Sequence, residues 1–335
     1  MSTRHKGQYR GIRRPVVPRR VPGAGTVLAV TAADHRSTGP VAVLANPTAG
    51  QGRHRELLPR LLARLADAGR PVRLLTAGTP GEAEAACHAA VAAGVGALVA
   101  VGGDGTVHRA LQAVAGTTVP FGPVPAGTGN DFAADTGFPT DPLAAAGVIA
   151  EALRTGRDHP VDLARMTGAA GGGHRWYGAV LAAGFDAVVN ERANRMRWPR
   201  GRLRYDLAIL AELARLRPRR YTLRLDGVAH TLEAVLVAVG NGASYGGGMR
   251  ICPDADLTDG LLDVVVGGRF DRRTLLRVKP RIHTGTHLTH PLVRRYRART
   301  VELVAEGITT YADGERALPL PVRISAVPGA VRLLR

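Results

Sequence analysis

Two short Gly-rich segments, Gly102-Gly103-Asp104-Gly105-Thr106 and Pro125-Ala126-Gly127-Thr128-Gly129-Asn130-Asp131-Phe132, each follow an apolar run that reads as a buried strand. The run before the first, Leu98-Val99-Ala100-Val101, is short and partly β-branched, and Val107 to Val114 behind the loop has helical spacing. A strand, a loop and a helix in that order aim backbone N–H groups and the positive helix end at an anion. Glycines at 102, 103 and 105 let phosphate approach the backbone closely, while Asp104 is suited to hold a cation and Thr106 to donate a hydroxyl hydrogen bond. A lone Gly-Gly-Asp-Gly also suits an ordinary turn. The strand Val41 to Ala45, however, ends in Asn46-Pro47-Thr48-Ala49-Gly50, so three strands end in loops rich in Gly, Asn, Thr and Asp. Ligands of open α/β sheets bind at the carboxyl ends of strands, so three such loops predict a nucleotide phosphate cradle.

The chain has 335 residues, more than the ~100–200 of a usual domain, which predicts two. Residues 1–38 carry seven Lys/Arg before the first acid, with several prolines and little apolar periodicity, and read as a flexible basic arm. From Val41 strand and helix alternate. A helix with Leu57, Leu58, Leu61, Leu62 and Leu65 on one face ends before Gly69, and Val72 to Leu75 is a strand. Thr79-Pro80-Gly81-Glu82 has the form of a capping box opening a helix to about Gly94. Repeated β-α units predict a doubly wound α/β domain over 39–157, its parallel sheet covered on both faces. After a helix over Pro142 to Thr155, short β-like runs take over: His159 to Met166, Arg175 to Ala182, Tyr221 to Leu225, Glu233 to Val239 and Leu261 to Val266. Gly171-Gly172-Gly173 and Asp226-Gly227 supply hairpin turns. A mainly β domain is therefore expected over 158–318, with a helical insertion over Val188 to Leu216. Two last strands within 319–335, Val322 to Val327 and Ala330 to Leu334, are expected to pack back on the first domain.

Composition narrows the function. With 45% hydrophobic and 21% charged residues and no apolar run of about 18, the sequence reads as a soluble globular chain. A basic start without an apolar h-region, and only Cys87 and Cys252, fit the cytosol, the cysteines as small buried hydrophobes. The net charge is +18, yet Lys occurs only at Lys6 and Lys279. Neither lies in a Gly-x4-Gly-Lys-Ser/Thr run or on a kinase-type strand, so phosphoryl transfer here must rely on metal, backbone and Arg. A genome rich in G and C explains the Arg excess equally well, but the charge still attracts anionic membranes. Nucleic acid is disfavoured, because aromatics are only 4% and no recognition motif is present.

The triplet of Asn46 to Gly50, Gly102 to Thr106 and Pro125 to Phe132 resembles the diacylglycerol kinase catalytic-domain family of lipid kinases, which includes bacterial diacylglycerol kinases and sphingosine kinases. Val239-Gly240-Asn241-Gly242, Gly246-Gly247-Gly248, Pro253, Asp256, Asp259-Gly260-Leu261 and Asp313-Gly314-Glu315 follow the family's later motifs in order, so the likeness spans about residues 39–335. It implies a phosphofructokinase-like α/β nucleotide domain, a β-sandwich lipid domain, and transfer of the ATP γ-phosphate to a lipid hydroxyl between them. By that resemblance Glu315 is the general base, and Asp104 and Asp131 complete the catalytic set. Asn46, Pro47, Thr48, Gly50, Gly102, Gly103, Gly105, Thr106, Gly127, Thr128, Gly129 and Asn130 bind ATP with its Mg²⁺. Asp256, Asp259 and the Leu261 carbonyl are similar to the structural Mg²⁺ site of the bacterial kinases. One departure is clear: where the family usually carries Asn-Glu after the first Gly-rich loop, this chain has His108-Arg109.

The resemblance implies a diacylglycerol-like acceptor. A sphingoid base, ceramide, polyprenol or glycolipid is the alternative, as are an NAD kinase and a non-catalytic nucleotide-responsive membrane regulator. The Arg clusters, the basic arm and Trp198 lead to an expected site of action at the inner face of the cell membrane. A homodimer is left open.

Overall fold

The computed structural model describes residues 39–45, 54–168, 171, 173–196, 198 and 202–335. The basic arm over 1–38 and the loop residues Asn46, Pro47, Thr48 and Gly50 lie outside the described residues.

The first part of the chain alternates as its apolar pattern predicts: β1 (Val41–Ala45), α1 (His54–Ala66), β2 (Val72–Leu75), α2 (Pro80–Ala92), β3 (Ala97–Gly102), α3 (Asp104–Val114) and β4 (Phe121–Pro125). The four strands run parallel in the order β2-β1-β3-β4. Every residue of β3 and β4 is buried, so both faces of the sheet are covered. Local signals place the helices. Gly69 takes φ +73 in the turn after α1. The Thr79 hydroxyl accepts from the Glu82 N–H at 3.2 Å, and the Glu82 carboxylate accepts from Gly78 N–H at 2.8 Å, a capping box displaced by one residue. The short helix α4 (Asp131–Asp135) and α5 (Pro142–Thr155) complete this part, α5 capped by Asp141 and ended by Gly156 at φ +69.

The rest is mainly β. In chain order come β5 (His159–Gly168), β6 (His174–Tyr177), β7 (Val180–Gly184), α6 (Phe185–Arg195), α7 (Arg202–Ala214), β8 (Arg219–Leu225), β9 (Val228–Ala234), β10 (Leu236–Gly240), β11 (Leu262–Gly267), α8 (Arg272–Ile282), β12 (Val293–Ala298), β13 (Thr300–Val304), β14 (Thr309–Ala312), β15 (Glu315–Pro319) and β16 (Val322–Leu333). One sheet has the order β12-β11-β10-β7-β14-β15. The other continues from the parallel strands as β4-β16-β13-β8-β9, with β5 and β6 attached. Tyr177, Val239 and Val264 pack with Tyr221, Val301 and Ile324 in one buried cluster drawn from both sheets. This is the predicted sandwich, attached to the predicted α/β domain.

Three details depart from the sequence reading. The two last strands are one, β16, whose register against β5 shifts between Val327 and Val331. Pro328 lacks an N–H and Gly329 sits at φ +60, which bulges the strand without ending it. Leu333 then pairs in parallel with Phe121 of β4, joining the sheets of both halves. The run from Arg175 to Ala182 is split into β6 and β7, because the Gly178 and Ala179 N–H groups bond to a side chain rather than a strand. Helix α8, hidden in an Arg-rich stretch, buries Leu275, Val278 and Ile282 and is capped by Asp271 accepting from Thr274 N–H at 2.8 Å. Both cysteines are buried and free, and burial pushes the Cys87 thiol up to about 12.

Asp162 of β5 shows what fastens the halves. It is buried, its two oxygens accept from Gly329 N–H at 2.8 Å and Gly260 N–H at 2.7 Å, and Asn241 donates to its carbonyl at 2.9 Å. Asp162→Ala orphans two N–H groups and is expected to cost about 2–4 kcal/mol, read from the urea midpoint, with Asp162→Asn milder. An unchanged midpoint would mean that these donors find other partners.

Candidate nucleotide site

The first phosphate loop is as tight as a strand-to-helix junction can be. β3 ends at Gly102 and α3 begins at Asp104, with the Gly103 carbonyl already accepting from Thr106 N–H at 2.9 Å. A Cβ on Gly102 would run into the Thr106 hydroxyl, and one on Gly103 would stand 3.1 Å from the Gly127 Cα, so the two Gly-rich loops meet through bare backbone. The second loop is shaped by Asn130, which adopts φ +64, accepts from Gly127 N–H at 2.9 Å and donates to the Gly127 carbonyl at 3.1 Å.

These loops line a cleft of about 520 Å³ with Ala77 to Pro80 and with Asp313, Gly314 and Glu315, which are distant in sequence. Asp313 and Gly314, at φ +51 and +79, make the two-residue turn from β14 to β15. Three contacts hold this turn over the cleft. Asp313 accepts from Gly178 N–H at 3.1 Å and Ala179 N–H at 2.9 Å, and its carboxylate lies 3.0 Å from His108 Nδ1 on α3. One turn of strand later, Glu315 meets Arg109 of α3 through both oxygens, at 3.2 and 3.1 Å. Arg109 also donates to the Gly105 carbonyl. Gln112 extends the clamp, donating to Trp176 O at 2.8 Å and accepting from Trp176 N–H at 3.0 Å.

Carboxylates crowd the cleft. Burial pushes Asp104 up to about 7, and the charges of Asp131 and Asp313 add to the rise. Asp131 turns away from the cleft: it accepts from Gly247 N–H at 2.8 Å and Gly248 N–H at 2.6 Å, anchoring the second Gly-rich motif of the β part. Asp135 does the same with Ser244 N–H at 2.9 Å.

Of the residues selected from sequence, Gly103, Asp104, Gly105, Thr106, Gly127, Thr128, Gly129 and Glu315 line the cleft. Gly102, Asn130 and Asp131 shape it from behind. Asp256, Asp259 and Leu261 lie outside this cleft. Asp259 is paired with Arg297 and accepts from Leu261 N–H at 2.9 Å, while Asp256 accepts from the Thr258 N–H and hydroxyl. No cluster of three or more potential metal-ligating side chains occurs among the described residues. Sequence reasoning missed Asp313 and His108 as site-forming groups. The turn signal of Asp313-Gly314 was visible, but its partners sit more than a hundred residues away. A larger groove, about 920 Å³, is lined by residues such as Asp135, His159, Arg250 and Asp256 and touches none of the Gly-rich loops; the smaller cleft is the one with phosphate-binding chemistry.

Comparison with known proteins agrees with this geometry. Residues 40–166 match the diacylglycerol kinase catalytic domain, and 179–335 match the YegS C-terminal NAD kinase beta sandwich-like domain. A diacylglycerol kinase of Mycobacterium tuberculosis is 46% identical over 299 residues, covering 89% of this chain and 95% of that protein. The Stenotrophomonas maltophilia protein named "Probable lipid kinase YegS-like" is 33% identical over 265 residues, 76% of this chain and 83% of its own. In fold, a crystal structure of a diacylglycerol kinase from Bacillus anthracis superposes with a TM-score of 0.64 at 22% identity, over 88% of this chain and 96% of that one. An NAD kinase from Archaeoglobus fulgidus, solved with ATP, gives 0.50 at 15% identity, over 88% and 93%.

The folded chain keeps a proton on Asp104 up to about pH 7, whereas the unfolded chain releases it near 3.8, so this group disfavours folding as pH rises through that window. Asp104→Asn is therefore expected to stabilise the ligand-free protein at pH 8, with the gain shrinking toward pH 4. A gain of equal size at both pH values would show that Asp104 is not held protonated.

Proposed function

Since the chain belongs to the diacylglycerol kinase catalytic-domain family and is an ATP-dependent lipid kinase, we propose that its acceptor is diacylglycerol and its product phosphatidic acid. The M. tuberculosis relative named for that activity supports this choice of acceptor. The observation that carries the mechanism is the placement of Glu315. The Asp313-Gly314 turn brings its carboxylate against the first phosphate loop, so close that a Cβ on Gly105 would run into it.

In this reading the N–H groups at the start of α3 and the Gly127-Thr128-Gly129 loop hold the phosphates, and Thr106 and Thr128 add hydroxyls. Glu315, at the mouth of the cleft and 37% exposed, accepts the proton of the acceptor hydroxyl as that oxygen attacks in line. Asp104, raised by burial among other carboxylates, fits a divalent cation carried by the nucleotide. Bound there, Mg²⁺ would neutralise phosphate charge.

We propose further that the enzyme works at the inner membrane face. Trp198, Leu207, Leu210 and Leu276 are exposed at 81%, 44%, 64% and 55%, in or beside helices α6 to α8, and the chain carries a net charge of +18.

Transfer of label from [γ-³²P]ATP to diacylglycerol in mixed micelles tests the acceptor. Label is expected in that lipid, reduced by about 100-fold or more in Asp104→Ala and Glu315→Gln. Label only in another lipid alcohol would overturn the choice of acceptor, and none in any lipid would overturn the kinase assignment. Co-sedimentation with anionic but not neutral vesicles, lost at high salt, is the expected sign of membrane docking.

A further inference from the structure

Arg109 is a cation in a cleft otherwise lined by acids and uncharged groups, and its contacts point to what a cation does there. Among the described residues lining the cleft, Arg109 is the one positively charged side chain, alongside the acids Asp104, Asp313 and Glu315. It rises from the first turns of α3, four residues after Gly105, and its guanidinium holds both oxygens of Glu315 and the Gly105 carbonyl. Among the described residues no lysine lines this cleft, Lys279 lying on α8.

We propose that Arg109 is a catalytic residue that alternates between two anions: the Glu315 carboxylate when the cleft is empty, and the transferring γ-phosphoryl group when ATP is bound. A guanidinium binds carboxylate and phosphate with the same bidentate fork, and a triphosphate carries more charge than one carboxylate, so entry of ATP favours the exchange. The exchange has two consequences. Glu315 is released to face the acceptor hydroxyl, and a fixed positive charge reaches the phosphoryl group as its bond to the β–γ bridging oxygen breaks and its bond to the acceptor oxygen forms. The acceptor proton passes to Glu315 and ADP leaves. The base is thus unmasked only when the phosphoryl donor is in place.

This proposal rests on the kinase assignment, so its test includes a measurement that needs no turnover. Calorimetric titration with ATP and with ADP, at fixed Mg²⁺, compares the native protein with Arg109→Gln, Arg109→Lys, Glu315→Gln and the Arg109→Gln/Glu315→Gln double variant. The native protein is expected to prefer ATP over ADP by about tenfold or more, the size of one charged hydrogen-bonded pair, and Arg109→Gln to lose that preference. Glu315→Gln frees Arg109 and is expected to bind ATP several-fold tighter, a gain absent from the double variant. In turnover, Arg109→Gln is expected to lower kcat by about 100-fold or more, and Arg109→Lys, which lacks the fork, to recover only part of it. An unchanged ATP preference in Arg109→Gln overturns the proposal even if kcat falls, since Arg109 would then serve Glu315 alone. A protein that phosphorylates no lipid overturns the kinase assignment, and the ATP and ADP titrations still decide the role of Arg109.

Discussion

The carboxylate of Asp313 is the contact on which the site depends. It accepts two consecutive backbone N–H groups, from Gly178 and Ala179, and faces His108 of α3. Without such an acceptor both N–H groups would be orphaned at the edge of a packed core, at a cost comparable to the net stability of many domains when several such groups are lost. By taking them, Asp313 breaks one strand into β6 and β7 and sets the β14–β15 turn over α3. Glu315, two residues on, consequently reaches the phosphate loop.

The same device recurs. Asp131 holds Gly247 and Gly248, Asp135 holds Ser244, and Asp162 holds Gly260 and Gly329. Each is an aspartate whose oxygens satisfy loop N–H groups from a distant stretch of the chain. Acids are scarce in a protein with 45 Lys and Arg against 27 Asp and Glu, and several of them lie inside, where a charged acceptor is worth most. The exposed pairs on the surface, such as Arg154 with Glu151 or Arg64 with Asp67, contribute little by comparison. The charge balance thus separates by location: α8 carries Arg272, Arg273, Arg277 and Arg281, and carboxylates dominate the cleft. That separation leaves Arg109 as the cation alongside three acids, and Asp104 with its raised proton affinity.

Much of this was legible in sequence. The helices α1, α2 and α5 follow from apolar spacing and caps, and α5 appears with the boundaries its sequence predicts, because Asp141-Pro142 and Gly156 are strong local stops. The phosphate loops were legible for the same reason, since their conformation is imposed by glycines next to them in the chain. Two of the misreadings involve partners far away. β16 looked like two strands because a Pro-Gly pair ordinarily ends one, but pairing with β5 on both sides of the bulge carries the strand through. The run from Arg175 to Ala182 looked continuous because nothing nearby announces Asp313.

Sequence alone determined the fold class, the order of motifs and the kind of ligand. These depend on periodicity and on backbone freedom at particular glycines, which are properties of contiguous residues. Only the tertiary structure decided how the acids and bases are combined: that Asp131 faces a loop of the β part rather than the cleft, that Asp313 fastens α3 to the sandwich, and that Glu315 is held by Arg109. Those pairings join residues that are not neighbours in the chain, and their energies depend on burial and hydrogen-bond geometry, which exist only once the two sheets have packed.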